Sequence, residues 1–462
     1  MKKYIITVLA VLCTGLSAMA QMRTAYFMQA STFRSDLNPA FAPQRGYVNF
    51  PIIGATGIDI NNNFLSLRNF VYPNPNGDGS VLFLHPDIDK SDFLKRLPEN
   101  NTLAFDTSFN LIGFGAYAKK FFWSAGINVR TSTEMVLPKD MFRLLTTLGE
   151  GYYDMSKLHA DMSAYTEIFV GASVPVFDWL TVGGRVKGLI GIANLTAEVN
   201  NSYFNVSPTD VSGRLMGTVK FNSAFSQSVA AGEEVDFDDI FDFGTFGLSS
   251  GGFAVDLGAE GRFLDDRLRA SIAITDLGFI SWGKGHTVST NLSAGFKFNG
   301  YNFDEKSIDS NVDDVTLTAG DSNEGYTKRL TTSLNIGAEY TFLEDRISVG
   351  VLSHTRFGQN STLSELTISG NFRPLNWLSA SISHTFFSHN RFGVFGFALN
   401  VHPKGFNLFL GSDFINFKVA KGAPVPVNMT SANVYMGLGF TFGKAHHYKG
   451  SKFYKAEADS KK

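Results

Sequence analysis

The sequence is short of cysteine, of excess charge of one sign and of long apolar runs. Its single cysteine among 462 residues is Cys13, so disulfides and cysteine metal sites are excluded for the rest of the chain. Lysines and arginines number 40 against 42 aspartates and glutamates. Without a basic excess, no nucleic-acid partner is expected. Beyond residue 20 no run is long and apolar enough for a membrane helix.

The first twenty residues have the pattern of a secretory signal peptide. Lys2-Lys3 precedes a short apolar run, and Ala18-Met19-Ala20 has the small-x-small pattern of a cleavage site. The apolar run is shorter than the roughly 20 residues that a membrane-spanning helix needs. We therefore expect residues 1–20 to be removed during export.

Phenylalanine and glycine are abundant, with 44 and 45 residues, and apolar residues recur at every second position. From Leu334 to Phe342, for example, apolar residues alternate with Asn335, Gly337, Glu339 and Thr341. Period-two alternation predicts strands with one apolar face and one polar or small face. Such strands are typical of either a soluble β-protein or a transmembrane barrel.

Three features favour a membrane barrel over a soluble sandwich. The alternating stretches exceed the roughly five or six residues of ordinary strands and suit the roughly nine to eleven of a tilted membrane strand. Short turns alternate with longer connections, as in outer-membrane barrels. Aromatic residues such as Trp123, Trp179 and Trp377 crowd the short turns, where an interfacial girdle is expected. The short turns lie at 120–123, 177–179, 265–267, 344–346, 375–377 and 403–405.

The predicted fold class is all-β, a transmembrane antiparallel β-barrel of about fourteen strands over residues 46–442 with long outer loops. Both ends lie on the tight-turn side, which is periplasmic in such barrels. Segments 211–224 and 286–299 are also extended, and we place both in outer loops. A barrel of roughly sixteen strands is the alternative. The predicted strands are 46–60, 103–118, 121–134, 160–176, 179–198, 251–263, 267–282, 329–342, 346–357, 361–373, 377–387, 392–402, 405–413 and 431–442.

Segments of irregular sequence flank the predicted barrel. Residues 21–45 contain Asn38-Pro39-Ala40 and a second proline at Pro43, and prolines this close resist a central strand. We expect this segment to lie in the lumen or at its periplasmic end, where it either gates passage or fills space. Residues 443–462 are polar and rich in lysine, which predicts a flexible periplasmic tail.

Two outer loops contain further candidates. Residues 138–149 place apolar side chains on one face of a short helix, which either lines a hydrophobic ligand entry or packs over the barrel mouth. The acidic stretch 233–243 lacks the spacing of an EF-hand loop. A solvated acidic loop is therefore favoured over a Ca²⁺ site.

The candidate ligand or gating residues fall on the N-terminal segment and on lumen-facing strand positions. On the strands, charged residues are expected to be hydrated or paired across the lumen. The six candidates are Asn38, Pro39, Ala40, Arg185, Lys187 and Glu339.

No catalytic residue is assigned, because the chain has no nucleophile elbow, no His-Glu-x-x-His and no phosphate loop. His354 and His384 fall near strands without an assignable serine or asparagine partner. No cofactor or metal ion is expected, since the adjacent His446 and His447 lack a third ligand.

Several stretches resemble a Bacteroidetes-type family of outer-membrane proteins known only as a domain of unknown function (DUF5723). They include Ser35–Phe41, Leu137–Phe142, Leu180–Leu189, Gly252–Gly258 and Asp276–Ile280. Asn38-Pro39-Ala40 is also similar to an element of the long-chain fatty-acid transporter (FadL) family, whose barrels are fourteen-stranded, and of PorV- and PorP-type secretion barrels. The resemblance implies recognition of the terminal aromatic Phe442 by the barrel-insertion machinery, and it transfers no catalytic residue.

The predicted location is the outer membrane, with its lipid as a partner. The leading functional hypothesis is a channel or transporter for small molecules, hydrophobic molecules among them. The alternative is a barrel without transport activity that anchors or assembles a secretion or cell-envelope complex, with an envelope protein as partner. A membrane enzyme based on His354 or His384 is the least favoured hypothesis, for want of a motif.

Overall fold

The computed structural model describes residues 22–446 except 51–55, 148–149, 208–210, 226–246, 303–306, 313–315, 320–324, 344, 360, 388–389 and 416–430. The predicted signal peptide, the acidic stretch 233–243 and the tail beyond residue 446 lie outside the described residues. No helix in the described ranges is long and apolar enough to cross a membrane.

Strands make up most of the described chain. The α-helices are α1 (Leu67–Phe70), α2 (Lys90–Arg96) and α3 (Lys139–Thr147), and a 3₁₀ helix spans Arg34–Asp36. In chain order the strands are β1 (Gly46–Asn49), β2 (Thr56–Asn62), β3 (Val71–Pro73), β4 (Ser80–Leu82), β5 (Asn100–Ala118), β6 (Phe121–Pro138), β7 (Gly151–Asp154), β8 (His159–Phe177), β9 (Leu180–Val199), β10 (Tyr203–Val206), β11 (Val211–Ser223), β12 (Gly251–Phe263), β13 (Leu268–Trp282), β14 (Thr287–Asn302), β15 (Ser307–Val312), β16 (Thr316–Ala319), β17 (Tyr326–Arg329), β18 (Thr332–Phe342), β19 (Ile347–Phe357), β20 (Thr362–Leu375), β21 (Leu378–Phe387), β22 (Asn390–Val401), β23 (Phe406–Ile415) and β24 (Ser431–Phe442).

Fourteen antiparallel wall strands close into a barrel. β1 and β2 together form the first, followed by β5, β6, β8, β9, β12, β13 and then β18 to β24, each hydrogen-bonded to the next. β24 pairs with both β1 and β2, so the last wall strand closes on the first. The predicted antiparallel fourteen-stranded barrel is thus confirmed, and closure leaves the wall without a free edge.

The wall turns its polar face inward and its apolar face outward, the reverse of a soluble β-barrel. Along β20, the side chains of Thr367, Ser369 and Asn371 are buried in the barrel, whereas Leu366 and Ile368 are exposed on the outside. A soluble barrel would bury its apolar face. An apolar exterior around a polar interior is the arrangement that suits lipid outside and a lumen inside.

Aromatic side chains ring the exterior at the tight-turn end. This is the position of an interfacial girdle, where amphipathic or large rings meet the lipid headgroups. The exposed aromatics on wall strands or turns at this end include Phe121, Trp123, Phe177, Trp179, Phe263, Phe342, Trp377 and Phe442.

A second sheet extends the wall at the long-loop end. β9 pairs with β12 over Leu180–Ile190, but its far end, Ala193–Val199, pairs with β11 instead. β11 pairs in turn with β14, and β14 with β15 and β16. The two extended segments around β11 and β14 therefore belong to the outer loops, as predicted, and the wall has fourteen strands rather than sixteen.

The helices form a small apolar cap at the same end. Phe142 of α3 is buried against Phe64 and Phe93, with Leu97 in the same cluster. Of the two roles predicted for this helix, the structure shows packing, because its buried aromatic side chain faces a neighbouring loop.

We expect Ile368→Arg to destabilise the barrel by about 2–4 kcal/mol, the cost of an arginine on the lipid face near the bilayer midplane. Ile368 lies outside on β20, seven positions from its tight-turn end at Leu375. Reversible urea unfolding in lipid vesicles measures the change.

Leu84→Arg is the matched control, since Leu84 is also exposed but lies between α1 and α2, outside the wall strands. A comparable loss of stability in both variants would contradict the assignment of the β20 exterior to lipid.

Candidate functional site

Residues 22–45, here called the luminal segment, lie inside the barrel and are almost entirely buried. Wall side chains bind the backbone of this segment from several directions. Asn407 of β23 donates to Ala30 O (2.9 Å), Asn335 of β18 to Leu37 O (3.1 Å), and Ser173 of β8 to Ala40 O (2.9 Å). The segment therefore bridges wall strands on different sides of the lumen.

Arg23 anchors the start of the luminal segment. Its guanidinium forms an ion pair with Glu365 of β20 and lies 3.7 Å from Asp413 of β23 and 3.8 Å from Asp59 of β2. The backbone N–H of Arg23 also donates to Asp413 Oδ2 (3.1 Å). Because all these groups are buried, removing one partner leaves an uncompensated charge, which typically costs about 3–5 kcal/mol.

The Asn38-Pro39-Ala40 turn contacts the wall where β12 pairs with β13. Asn38 Oδ1 accepts from Ala40 N (2.9 Å), which closes a local turn, and Asn38 Nδ2 donates to Ala259 O and Ile272 O (both 3.3 Å). Ala259 and Ile272 face each other across β12 and β13. The Asn38 side chain thus fixes both its own turn and the place where that turn meets the wall.

Two wall glycines make room for this turn. A Cβ at Gly258 would lie 2.0 Å from Asn38 Oδ1, and one at Gly183 would lie 2.1 Å from Pro39 O. No side chain fits at either distance. The approach of the luminal segment to the wall therefore depends on glycine at both positions.

The predicted luminal charges belong to two separate networks. Arg185 pairs with Asp36 of the luminal segment (2.7 Å), and Lys187 on the same strand pairs with Asp256 (2.8 Å) and Asp276 (2.6 Å).

The second network surrounds Glu339 of β18. It accepts from Arg373 and pairs with Arg269 (3.3 Å), and Arg373 also donates to Phe27 O (3.3 Å) in the luminal segment. Arg185 therefore touches the segment directly, Glu339 acts on it through Arg373, and Lys187 is bound within the wall. The structure does not bring the three charges together.

A bulge in β13 creates a residue that the sequence patterns did not single out. Asp276 has a left-handed backbone (φ 59°), and its N–H donates to Asp256 Oδ1 (2.7 Å) on β12. The bulge turns the Asp276 carboxylate into the lumen, where it accepts from Lys187 and from Arg130 (2.7 Å). The sequence contained one sign of this bulge. The outward apolar positions change from even to odd residue numbers, from Ile272 to Leu277, which breaks the period-two alternation.

A chamber of about 140 Å³ lies between the luminal segment and the long-loop end. Met22, Tyr26 and Leu37 of the segment form part of its lining. Hydroxyl-bearing residues make up much of the remaining wall, namely Thr107, Ser108, Thr131, Ser132, Ser163, Thr275, Thr331 and Ser333. The wall is therefore largely polar, with an apolar patch where the segment meets it.

Ion pairs cross the lumen beside this chamber. Arg356 of β19 forms a bidentate pair with Asp106 of β5 (2.8 Å from Nη2 to Oδ1). These are the ninth and second of the fourteen wall strands, on opposite sides of the barrel. Lys328 of β17 also pairs with Asp161 of β8 and donates to Thr196 of β9 (2.8 Å). The chamber is thus bounded by the luminal segment on one side and by crossing side chains on the other.

The two histidines considered for catalysis lie in different settings. His354 Nδ1 is 2.6 Å from Asn335 Oδ1, and among the described residues its Nε2 has no hydrogen-bond partner, so no nucleophile contacts it. His384 packs against Phe386 and Phe395. In the described part of the chain no group of three or more histidine, cysteine or acidic residues is arranged to hold a metal ion.

The family model of a family of unknown function, DUF5723, matches residues 39–413. The chain belongs to this family. The match begins at Pro39 and ends at Asp413, so it contains nearly the whole barrel wall and part of the Asn38-Pro39-Ala40 turn. No curated protein matches the sequence.

Solved structures with similar folds include transport barrels. The toluene transporter TbuX of Ralstonia pickettii is 10% identical with a TM-score of 0.44, and the alignment covers 94% of this chain and 100% of that chain. The toluene transporter TodX of Pseudomonas putida is 10% identical with a TM-score of 0.38, covering 89% and 93%. A FadL homologue of Pseudomonas aeruginosa is 10% identical with a TM-score of 0.39, covering 92% and 95%. At this identity the likeness is one of fold alone.

We expect Gly258→Ala to displace the luminal segment, because the new Cβ would overlap Asn38 Oδ1. A reporter cysteine replacing the buried Ser31 should then react faster with a maleimide probe than it does in the otherwise unaltered protein.

Gly370→Ala serves as the control, since its Cβ would meet only the Ile382 side chain at 3.7 Å. Equal labelling rates in the two alanine variants would show that contact at Gly258 does not position the segment.

Proposed function

We propose that this protein is an outer-membrane channel for small molecules, closed here by the luminal segment. The observation that carries the proposal is that residues 22–45 fill the lumen and bind the wall on several sides, next to a chamber of about 140 Å³. A segment whose only role was to fill the barrel would need no chamber beside it.

The luminal segment is held by polar contacts and by apolar packing. The polar contacts are hydrogen bonds and ion pairs to Arg23, Asn38 and neighbouring backbone atoms, and each hydrogen bond contributes only about 0.5–1.5 kcal/mol net because water competes for the same groups. Apolar side chains of the segment also pack against the wall, so its displacement exposes apolar surface as well as polar groups. Met22, Met28 and Phe33 pack with Phe409 and Tyr435, and Tyr26, Phe27 and Phe41 pack with Leu352.

The candidate residues receive roles under this proposal. Asn38-Pro39-Ala40 sets where the segment meets the wall, and Arg185 holds Asp36 at the same end. Glu339 orients Arg373 toward Phe27 O. These residues hold the closed state, and Lys187 supports the wall around the bulge at Asp276.

The size and lining of the chamber suggest the kind of cargo. Its apolar contacts come from Met22, Tyr26, Leu37, Tyr165, Leu330 and Leu352, beside hydroxyl and charged groups. We propose that the cargo is a small molecule with an apolar part that contacts this patch. Hydrophobic molecules therefore remain candidate cargo. A purely apolar molecule would leave the surrounding polar groups without hydrogen-bond partners.

Deleting residues 22–45 should open the lumen, because the wall itself begins at Gly46. The expected result is a rise in single-channel conductance in planar bilayers over the unaltered protein. Arg23→Met should give a smaller rise, since it removes the guanidinium from its three carboxylates.

Truncation after residue 446 is the control, because it shortens the chain without touching the luminal segment. If both the deletion and Arg23→Met insert as folded barrels yet conduct no more than the control, the channel proposal is wrong.

The alternative of an assembly barrel is favoured by one observation, apolar side chains exposed on the long-loop end. They include Leu65, Leu82, Leu84, Leu145 and Tyr152, of which Leu145 is 55% exposed. Exposed apolar groups that cluster outside the membrane mark protein contact surfaces in many proteins.

A photo-crosslinking residue at Leu145 in living cells should then give one discrete adduct of higher mass. The same residue at Glu99, an exposed charged position nearby, is the control. Absence of a discrete adduct at Leu145 would count against a stable protein partner on this surface.

A further inference from the structure

Four carboxylates occupy four consecutive wall strands around the chamber. They are Asp59 of β2, Asp106 of β5, Glu134 of β6 and Asp161 of β8, and we call them the acidic arc. Asp59 and Asp106 are register partners, and so are Glu134 and Asp161. Like charges directly opposite each other repel, so such an arrangement needs compensation by cations.

Among the described residues, three members of the arc have a cation and one does not. Asp59 pairs with Arg23, Asp106 with Arg356 and Asp161 with Lys328. In the part of the chain that the structure describes, Glu134 forms no ion pair. Its Oε2 accepts only from the backbone N–H of Gln359 (3.2 Å), and its buried Oε1 has no partner.

The compensation of Asp59 is also incomplete. The single guanidinium of Arg23 is shared with Glu365 and Asp413, so one positive charge serves three carboxylates. Asp59 Oδ1 is a second buried acceptor without a partner among the described residues. Over the whole lining, six carboxylates (Asp36, Asp59, Asp106, Glu134, Asp161 and Asp276) face four arginines (Arg23, Arg130, Arg329 and Arg356), so negative charge exceeds positive charge around the chamber.

His354 adds an acceptor of a different type to the same lining. Asn335 Nδ2 donates to Leu37 O (3.1 Å), which leaves Asn335 Oδ1 to accept from His354 Nδ1–H (2.6 Å). In the neutral ring the proton is then on Nδ1, and Nε2 carries a free lone pair. Nε2 is buried and has no partner in the described part of the chain.

Three buried acceptors without a partner in the described part of the chain line the chamber, beside the hydroxyl group of Ser108. Asp59 Oδ1, Glu134 Oε1 and His354 Nε2 all accept hydrogen bonds, and two of them belong to carboxylates. We infer that the chamber binds a small organic cation, a protonated amine that donates hydrogen bonds, with Glu134 as its principal counter-ion. This inference rests on the proposed channel function in treating the chamber as a cargo site.

The amine would satisfy groups that the protein leaves open. An ammonium group carries three N–H donors and one positive charge, which match the acceptors and the missing cation. The hydroxyl groups of the chamber would bind a second polar group, and the apolar patch would contact the carbon chain. An anion of the same size would meet the uncompensated carboxylates and be repelled.

The test uses the full-length protein, purified in detergent at low salt, and isothermal titration calorimetry. Ethanolamine hydrochloride is the cationic probe, sodium glycolate its anionic match and ethylene glycol its neutral match. We expect ethanolamine to bind, glycolate to give no binding and ethylene glycol to bind more weakly than ethanolamine. Glycolate binding as tightly as ethanolamine, or no ethanolamine binding to the folded protein, would overturn the inference.

Glu134→Gln tests the role of Glu134 as counter-ion, because it removes the negative charge of the side chain and keeps its size and shape. Binding of ethanolamine should weaken at least about tenfold, as expected for losing a hydrogen bond to a charged group. Glu99→Gln is the control, since Glu99 is exposed outside the chamber and its carboxylate pairs with Lys139. Unchanged affinity in folded Glu134→Gln would refute the role of Glu134.

The outcomes separate this inference from the channel proposal. The probes are compared on the unaltered protein, so charge preference is tested even if a variant does not fold. Ethanolamine binding without conductance in the deletion of residues 22–45 retains the cation site and refutes the channel. Conductance in that deletion without a preference for ethanolamine retains the channel and refutes the cation site.

Discussion

The pairing of charges inside the barrel is the constraint on which the rest of the structure depends. An apolar exterior leaves the lumen to hold the polar face of every wall strand, and a buried charge without a partner is costly. Arg23 supplies the cation for Glu365, Asp413 and Asp59, while Asp36 supplies the anion for Arg185. Charged groups of the wall therefore find their partners in the luminal segment, and this pairing favours the position of the segment inside the lumen.

Shape complementarity with the wall gives the luminal segment a specific place in the lumen. Gly183 and Gly258 leave the space that the segment occupies, because a Cβ at either position would overlap Pro39 or Asn38. The contacts that then form combine buried ion pairs and hydrogen bonds with apolar packing, such as that of Phe33 against Phe409. The bulge at Asp276 adds a strained residue to this region, and backbone strain of that kind is concentrated at functional sites.

Much of the barrel could be predicted because the pattern that identifies a strand lies within that strand's own sequence. Alternation from Leu334 to Phe342 identifies a strand without knowledge of its neighbours, and residues such as Trp179 and Trp377 indicate the interface. The sequence also placed β11 and β14 outside the wall. It did not reveal the bulge at Asp276, whose only sign is a change of parity after Ile274, nor the partner of any luminal charge, since pairs such as Arg356 and Asp106 are 250 residues apart.

The sequence by itself predicted the strands, their two faces and a wall of about fourteen strands, because period-two alternation within each strand shows which residues share a face. Only the tertiary structure decided between fourteen and sixteen wall strands, where the luminal segment lies and which charges pair, with Glu134 left without a cation among the described residues. The physical reason is that barrel closure brings together side chains from strands distant in sequence. Their pairing energy depends on distances across the lumen, and no local pattern encodes those distances.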